Sequence, residues 1–427
     1  MNNQNTPKSF TDISLSTAQL IEIRDQMVAG IAQGLALPNQ TVKALPAFTR
    51  LPETLHDGEV VVLDAGGTNV RAAQIAFAQN EVRYVQDKQR DESLMSQAQE
   101  VGAISSEVFF QRQADLVHQV CQQPEFDLGY CFSYPSTNTP DGDAQLVTWT
   151  KGIIVENVIG RSLREMISKA IANNNQTAHK IPVLNDTVTT LLAGAWLTDC
   201  DQYIGLIAGT GLNAAAFYPV SQITKLTDDE KKGWKDTDLM AVNLEIGNFH
   251  PKFLSTFDDT LNALRVHDNP NKQRLEKAAS GRYIAPIFGQ MVGREVCLNL
   301  PAEYAFDPED IYSHAGMVAK LRDYPDTAIA QAAHALLERS ADLTAVILAA
   351  IIMGQNADST EQRAVTTGIL VEGTLFWQTE GYKERVAAQL QQLIPPHITP
   401  QFLHNDLDVQ TNFIGLGYAT LAMNSSS

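Results

Sequence analysis

Residues 60–71 of this chain have the sequence VVVLDAGGTNVR. Four apolar residues in a row are typical of a strand buried on both faces, and a second strand-like run, 70–77, follows the glycines. Adjacent glycines let the backbone turn without a Cβ clash, so its N–H groups can point at one spot. Such a concavity suits phosphate, with Thr68 and Asn69 as further donors and Arg71 as the counter-charge. For the glycines alone, an ordinary hairpin turn is the alternative.

A related strand–glycine–hydroxyl unit occurs again downstream. Residues 208–213, AGTGLN, follow a strand-like run and echo residues 64–69, DAGGTN. Their spacing also fits a dinucleotide-binding fingerprint, but that fingerprint must open a helix, whereas residues 214–218 are strand-like and Pro219 ends them. The chain has no P-loop lysine motif either. We therefore expect two glycine hairpins, one in each half of the molecule, that hold one polyphosphate from both sides.

The composition is that of an ordinary globular protein. The 427 residues suffice for about two or three domains, and 44% of them are apolar while 19% are charged. The formal net charge of −18 disfavours nucleic acid or an anionic membrane as a partner. The four cysteines and nine histidines show neither disulfide nor metal-ligand spacing, so we expect reduced thiols and no protein-held metal. A polar start without a signal-peptide layout, and no apolar run longer than 343–353, predict a cytoplasmic protein.

Strand-like and helix-like patterns alternate along the chain, which predicts an α/β architecture. Hydrophobic spacing predicts helices at 16–34, 106–121, 163–171 and 188–197, and strands at 58–77, 81–85, 128–132, 181–184, 203–208 and 214–218. We expect residues 38–52 to form an irregular connector and residues 146–151 a short extended segment. Beyond residue 255 the pattern is mostly helical and ends in a helix near 415–423.

A few polar side chains are candidates for chemistry from the residues alone. Asp186 follows a buried strand and begins a helix, where it can cap the helix, hold a substrate hydroxyl, or do both. Glu245 interrupts an apolar run, and a carboxylate there needs hydrogen-bond donors. Lys151 follows an aromatic and a hydroxyl, although a solvated loop lysine is the default interpretation. Glu276 alone is typical of a helix surface.

Taken together, these segments resemble the hexokinase family, the ATP-dependent sugar kinases of eukaryotic hexokinase type, across roughly residues 15–425. Seven segments occur in the family's order: 63–71 and 204–213 resemble the two phosphate segments, 132–135 and 148–152 the two halves of the sugar loop, 183–188 the segment with the catalytic base, and 243–247 and 269–281 the sugar contacts of the large domain. Residues 368–374 resemble the adenosine-side segment. Seven segments in one order are highly specific.

The resemblance implies an actin-like fold, in which two ribonuclease-H-like domains face each other across a deep cleft. The implied small domain comprises residues 58–186 plus 412–427, and the large domain residues 1–57 plus 187–411. The implied cofactors are ATP and Mg²⁺ carried with the nucleotide, and the implied substrate is a hexose, glucose by default, phosphorylated at its 6-hydroxyl.

The resemblance also assigns roles to individual residues. It makes Asp186 the catalytic base, with Lys151 and Arg71 as catalytic cations. The implied hexose contacts are Ser133, Thr150, Lys151, Asn185, Asp186, Asn213, Glu245, Gln273 and Glu276. The implied contacts to Mg-ATP are Asp64, Gly66, Gly67, Thr68, Asn69, Arg71, Gly209, Thr210, Gly211, Gly373 and Thr374. The chemistry agrees with the first set, since carboxylates and amides pair well with the hydroxyls of a polyol.

Two other functions compete with a hexose kinase. A catalytically silent sugar-binding regulator on the same scaffold would be expected to lose Asp186, Lys151 or Arg71, and all three are present. An actin-like ATPase or filament protein would share the glycine hairpins but would not need Glu245 and Glu276.

The chain departs from the family pattern at three places. Ala65 stands where the family usually has Leu, and Glu372 where Asp is usual. Residues 408–411, DVQT, stand where the family tends to keep Asp-Gly-Ser. The far wall of the nucleotide site is therefore the least defined part of the expected cleft.

Overall fold

The computed structural model describes residues 13–52, 57–67, 69–100, 102, 104–150, 152–264, 271–310, 312–357 and 363–423. Two of the predicted site residues, Thr68 and Lys151, lie outside these ranges. Every other predicted site residue lies within them.

The strands and helices follow one another in mixed order along the chain. The strands are β1 (Leu45–Arg50), β2 (Gly58–Ala65), β3 (Val70–Ala78), β4 (Glu81–Tyr84), β5 (Gln89–Asp91), β6 (Glu125–Phe126), β7 (Leu128–Phe132), β8 (Ser136–Asn138), β9 (Ala144–Leu146), β10 (Thr177–Ala178), β11 (Val183–Leu184), β12 (Gln202–Ala208), β13 (Leu212–Pro219), β14 (Leu239–Asn243), β15 (Val365–Glu372) and β16 (Ile398–Leu403). The helices are α1 (Thr17–Ala36), α2 (Ser93–Gln97), α3 (Ser106–Val120), α4 (Leu163–Asn173), α5 (Asp186–Leu197), α6 (Thr256–Leu264), α7 (Arg274–Ala279), α8 (Gly281–Val292), α9 (Arg294–Leu298), α10 (Ala315–Ala319), α11 (Thr327–Gln355), α12 (Thr374–Gln378), α13 (Tyr382–Leu393) and α14 (Thr411–Ala422).

Two mixed sheets of the same design form the framework. In one sheet the strand order is β11-β7-β2-β3-β4, with β5 also paired to β3; in the other it is β1-β14-β13-β12-β15-β16. In each sheet a hairpin, β2–β3 or β12–β13, continues on one side into antiparallel strands. On the other side its first strand pairs in parallel, β2 with β7 and β12 with β15. The predicted echo between the two halves is therefore a structural repeat.

Helices cover both faces of the two sheets. Buried side chains of α1, α8, α11 and α13 pack on the outer face of the β12 sheet, while α3 and α4 pack on the outer face of the β2 sheet. A third apolar cluster joins the inner faces of both sheets to α5 and α14, and it includes Val62, Leu192, Leu370 and Phe413. Helices α5 and α14 therefore form a shared layer between the two sheets.

Helices α5 and α14 touch through their backbones at Gly415. A Cβ atom on Gly415 would lie 2.0 Å from the carbonyl oxygen of Thr189 and 2.9 Å from its Cα. Real Cβ atoms do not approach backbone atoms so closely, so glycine is the residue that lets the two helices cross at this distance.

We expect Gly415→Ala to destabilise the protein by about 1–3 kcal/mol, because the clash outweighs the better helix propensity of alanine. Gly30→Ala is the matched control: it also lies within a helix, and its Cβ would meet the Phe249 ring and Val42 at an ordinary 3.5 Å. Thermal or urea unfolding of the two variants measures the difference. Equal stability of Gly415→Ala and wild type would show that the crossing tolerates a wider separation.

The longest helix, α11, runs for 29 residues through the interior of the β12 half. Its Arg339, 2% exposed, pairs with Asp258 of α6, with Nη1–Oδ2 and Nη2–Oδ1 distances of 2.5 and 2.9 Å. Arg339 also donates to the carbonyl oxygen of Ala278 at 2.9 Å, which fixes α7 against α11. Neither α11 nor any other helix in the described ranges combines the length and apolarity needed to cross a membrane.

The secondary structure differs from the sequence-based expectation at several segments. Residues 45–50, expected as a connector, are the edge strand β1, whose Pro46 is tolerated because an edge strand leaves donors unused. In the segment 146–151, expected to be extended, β9 ends at Leu146, residues 147–150 have no regular secondary structure, and Lys151 lies outside the described residues. The mostly helical C-terminal half also contributes β15, which pairs with distant β12, and β16, which pairs with β15. The helix predicted at 188–197 begins earlier, at Asp186.

Candidate active site

Both predicted glycine turns are hairpins at the same position of the repeat. The turn after β2 is closed by Gly66 N–H, which donates to Asn69 O at 3.1 Å, and the turn after β12 by Gly209 N–H, which donates to Gly211 O at 3.1 Å. Gly66, Gly67, Asn69 and Gly211 are half-buried, and Thr210 is exposed. Because β13 follows the second turn directly, the rejection of a dinucleotide fingerprint is confirmed.

The second turn is packed against two further backbone segments. A Cβ on Gly373, whose φ is +131°, would lie 2.3 Å from Ala208 O, so this position requires glycine. Gly281 N–H donates to Gly209 O at 2.8 Å, and Arg282 N–H donates to Thr210 O at 3.3 Å. The turn at 209–211 therefore meets Gly373 and the start of α8, while exposed Thr374 begins α12 beside it.

Three adjacent parallel strands deliver polar residues to one edge of the β2 sheet. Asp64 of β2 and Leu184 of β11 both lie level with Cys131 of the central strand β7. Ser133 follows β7 at once, as Asn185 and Asp186 follow β11. Since the carboxyl ends of parallel strands meet at one edge, the phosphate, sugar and base segments of the prediction converge there.

Asp186 is the first residue of α5, and Asn185 is the residue that caps it. The Asn185 side chain accepts from Thr187 N–H at 3.0 Å, so the helix-capping role weighed for Asp186 belongs mainly to its neighbour. Asp186 Oδ1 accepts from Thr187 N–H at 2.9 Å and from Thr187 Oγ1 at 3.3 Å. As the first residue of α5, Asp186 lies at the positive end of the helix dipole.

Asp64 is a buried acid close to this base. It is 5% exposed, and burial raises the pKa of its carboxyl, as does the negative charge of Asp186. A hydrogen bond from Asn412 and the charge of Arg71, opposite Asp64 in the β2–β3 pair, oppose that rise in pKa. Asp64 Oδ1 has no hydrogen-bond partner among the described residues. A buried acceptor oxygen therefore remains beside the first glycine turn.

The amide of Asn213 is the centre of a hydrogen-bond network on the β12 side. Its Nδ2 donates to Thr187 Oγ1 at 3.0 Å and to Asn243 Oδ1 at 2.9 Å, and it shares one of these two protons with Glu245 Oε1 at 3.4 Å. Asn243 Nδ2 also donates to Glu245 Oε1 at 3.0 Å. The donors that Glu245 was expected to need are thus two amides, and Thr187 joins this network to Asp186.

Glu276 and Gln273 form the second part of this polar cluster. Gln273 Nε2 donates to Glu276 Oε2 at 2.7 Å, and Leu212 N–H donates to Glu276 Oε1 at 3.4 Å. A Cβ on Gly211 would lie 3.1 Å from Glu276 Oε1, so Glu276 stands against the second glycine turn rather than on an open helix surface.

Two residues of the cluster have strained backbones. Glu245 and Gln273 have φ angles of 51° and 54°, in the left-handed region that side-chain-bearing residues rarely adopt. Each such conformation costs about 1–3 kcal/mol and is typical of functional sites. The strain falls on two of the residues that the family resemblance assigned to the sugar.

The predicted sugar loop is held by aromatic side chains. Ser133, 7% exposed, donates its N–H to Ala65 O at 3.2 Å. Tyr134 OH donates to Gly66 O at 3.0 Å, and the Tyr134 ring packs edge-on against Trp149 with centroids 5.0 Å apart. These contacts hold Trp149, the residue before half-buried Thr150, against Tyr134, while Lys151 lies outside the described residues.

Sequence reasoning missed several residues of the site. Thr187 and Asn243 lie within the segments that resemble the family but were not predicted to be site residues, and Asn412 lies outside those segments. All three hydrogen-bond to predicted site residues. A buried amide beside a carboxylate is a weak sequence signal, because it depends on a partner far away in the chain. The Thr411 hydroxyl donates to Glu372 Oε1, so residues 408–411 end beside the segment 368–374, which resembles the family's adenosine-side segment.

The comparisons with known proteins point to one family. Two family models described as hexokinase match residues 7–196 and 203–422. Hexokinase-2 of Homo sapiens is 27% identical over 425 residues, which covers 89% of this chain and 44% of that protein. The hexokinase of Schwanniomyces occidentalis is 23% identical over 418 residues, covering 89% and 84%. The chain spans less than half the length of several relatives it matches.

The solved structures agree on the fold. The structure of a hexokinase from Schistosoma mansoni complexed with glucose matches with a TM-score of 0.76 at 23% identity, and a second hexokinase structure with a TM-score of 0.78 at 20% identity. Each match covers 97% of both chains. These comparisons agree with the repeated sheet and the paired glycine turns. This chain therefore belongs to the hexokinase family and has its actin-like α/β fold.

Proposed function

We propose that this chain transfers the γ-phosphoryl group of ATP to the 6-hydroxyl of a hexose, giving hexose 6-phosphate and ADP, with Asp186 as the catalytic base. One observation carries the proposal. Thr187 hydrogen-bonds to Asp186 and to Asn213, so the proposed base is continuous with the polar cluster. Asp186 is also close to Asp64, beside the first glycine turn, since its negative charge helps to raise the pKa of the Asp64 carboxyl.

The sugar would lie between the polar cluster and the Ser133 loop. The residues proposed to bind its hydroxyls are Ser133, Thr150, Lys151, Asn185, Asp186, Asn213, Glu245, Gln273 and Glu276. Asn213 donates to Asn243, and Asn243 donates to Glu245, so these side chains are already oriented and little side-chain entropy is lost when hydroxyls replace those contacts. Glucose is the default hexose, in keeping with the sugar present in the Schistosoma mansoni structure.

Asp186 would accept the proton of the 6-hydroxyl as that oxygen bonds to the γ-phosphorus. The bond from the γ-phosphorus to the bridging oxygen breaks, and ADP leaves. General-base catalysis of this kind contributes about 10²–10⁴-fold, while positioning and charge neutralisation contribute the rest. Arg71 and Lys151 are the proposed cations for the transferred charge.

The glycine turns would hold the nucleotide. The proposed contacts are Asp64, Gly66, Gly67, Thr68, Asn69, Arg71, Gly209, Thr210, Gly211, Gly373 and Thr374. A Mg²⁺ ion carried with ATP fits this set, because Asp64 Oδ1 is a buried acceptor without a partner among the described residues and can bind a water of the ion. Bound there, Mg²⁺ neutralises charge on the phosphates.

A coupled ADP-release assay with glucose, mannose and fructose tests the function. We expect saturable turnover with at least one of these sugars. No turnover with any hexose at millimolar concentration would reject the kinase, and sugar binding without turnover would favour the silent regulator instead.

We also propose the domain division 58–186 plus 412–427 and 1–57 plus 187–411, which assigns one sheet to each domain. We expect the two domains to close around the sugar, since closure excludes water that would otherwise accept the phosphoryl group. Small-angle X-ray scattering should show a smaller radius of gyration when glucose saturates the protein. A scattering profile that glucose leaves unchanged would contradict closure.

A further inference from the structure

The side chain of Asn412 links Asp64 to helix α5, the helix that begins at Asp186. Asn412 lies in the first turn of α14, and its Nδ2 donates to Asp64 Oδ2 at 3.3 Å. Its Oδ1 accepts from Thr189 Oγ1, on α5, at 2.8 Å. One amide therefore joins the end of β2 to the helix that begins at Asp186.

The hydroxyl of Thr189 has one proton and two possible acceptors. Thr189 Oγ1 lies 2.7 Å from the carbonyl oxygen of Asp186 and 2.8 Å from Asn412 Oδ1. The Asp186 carbonyl already receives the Thr190 hydroxyl at 2.9 Å. The Asp186 carbonyl has this second hydroxyl donor, so the single Thr189 proton can go to Asn412 Oδ1 without leaving that carbonyl unpaired.

The amide orientation that uses this donation gives both ends of the Asn412 amide a complementary partner. With Oδ1 turned toward Thr189, the NH₂ group faces the Asp64 carboxylate. The flipped amide would set its oxygen against a carboxylate oxygen, two acceptors without a proton between them. Asp64 Oδ2 is thereby held by Asn412, and Oδ1 is the oxygen left without a partner among the described residues.

We propose that Asn412 is a positioning residue that holds the Asp64 carboxylate and the start of α5 in one fixed arrangement. The inference rests on the proposed function, in which Asp64 contacts Mg-ATP and Asp186 is the catalytic base. The contact depends on the close helix crossing at Gly415, three residues further along α14, where Thr189 is again the partner. Asn412 lies just after residues 408–411, the segment that departs from the family pattern. The hydrogen bonds from Asp64 through Asn412 to Thr189, called the Asn412 bridge below, are therefore taken from the geometry of this chain.

The test compares Asn412→Ala, Asn412→Asp, Thr189→Val and the double variant Asn412→Ala/Thr189→Val. We expect Asn412→Ala to lower kcat by about 10–100-fold, as is usual when a residue that orients a ligand-binding side chain is lost. Asn412→Asp keeps the shape but turns a second carboxylate toward Asp64, so it should be at least as impaired. The double variant should be no worse than Asn412→Ala, since both changes break the same connection.

Two further measurements separate positioning from stability and from the proposed function. By calorimetry, the affinity for Mg–AMP-PNP should fall about 10-fold in Asn412→Ala, while glucose affinity and the thermal midpoint stay near the wild-type values. Thr420→Val, on the same helix with a hydroxyl that donates only to Leu416 O, is the control and should match wild type. If the wild type shows no turnover, the hexose kinase is rejected but the Asn412 bridge is not, because the affinity for Mg–AMP-PNP still tests the bridge.

Unchanged Mg–AMP-PNP affinity in Asn412→Ala would overturn the proposal. So would a wild-type-like Asn412→Asp, because only a packing role survives that replacement. Additive losses in the double variant would show that Asn412 and Thr189 act independently.

Discussion

Asp186→Ala should lower kcat by about 10²–10⁴-fold while the protein still binds glucose. The change removes the carboxylate that accepts the 6-hydroxyl proton, but it leaves the Asn185 cap and the Asn213 network in place. Sugar affinity measured by calorimetry, together with kcat from the coupled assay, separates the two effects. Asp199→Ala, an exposed acid just beyond the other end of α5, is the control. Near-normal kcat in Asp186→Ala would assign the base to another residue.

Asp258→Asn should destabilise the protein by about 3–5 kcal/mol at neutral pH, because it leaves the Arg339 charge buried without its partner. Asp259→Asn is the matched control: the neighbouring acid is 65% exposed, and its ion pair with Arg274 is worth about 1 kcal/mol or less. Urea unfolding of both variants measures the free energies. Similar losses in the two variants would show that burial adds nothing to the Asp258–Arg339 pair.

The same pair predicts a pH dependence. Burial alone would raise the pKa of Asp258, but the Arg339 charge and its hydrogen bonds lower it below the usual value. A carboxyl with a lowered pKa in the folded state stabilises the fold above its unfolded pKa of about 4 and loses that contribution as the pH falls further. The stability difference between wild type and Asp258→Asn should therefore shrink below about pH 4. A difference that stays constant down to pH 2 would contradict the lowered pKa.

The glycine hairpins and the placement of Asp186 were predictable because their signals are local. The glycines at 66–67 and 209–211 each follow a buried strand, and such a pattern leaves the backbone few conformations other than a tight turn. Asp186 comes directly between a strand and a helix. The echo between the halves also predicted the repeated sheet design. The hairpin after β12 and the fold class are confirmed, whereas the roles of the site residues remain predictions.

The remaining features depend on distant partners. The edge strand β1 exists because β14, nearly two hundred residues later, offers it donors and acceptors. The orientation of Tyr134 depends on Gly66 O, and that of Asn412 on Asp64 and Thr189. Residue type and spacing carry no trace of such pairings, so the hydrogen bonds that position the site could be found only in three dimensions.

During synthesis on the ribosome, the hydrogen bond between Asn412 and Asp64 cannot form until the chain has reached residue 412. Asp64 and Asn412 are 348 residues apart in the chain, so at about 5–20 residues per second roughly 20–70 s separate the addition of the two. Until α14 is synthesised, the apolar side chains of β2, and those of α5 once they have been added, lack the packing that α14 later provides. A nascent chain that has not yet reached residue 411 therefore exposes apolar surface that favours aggregation.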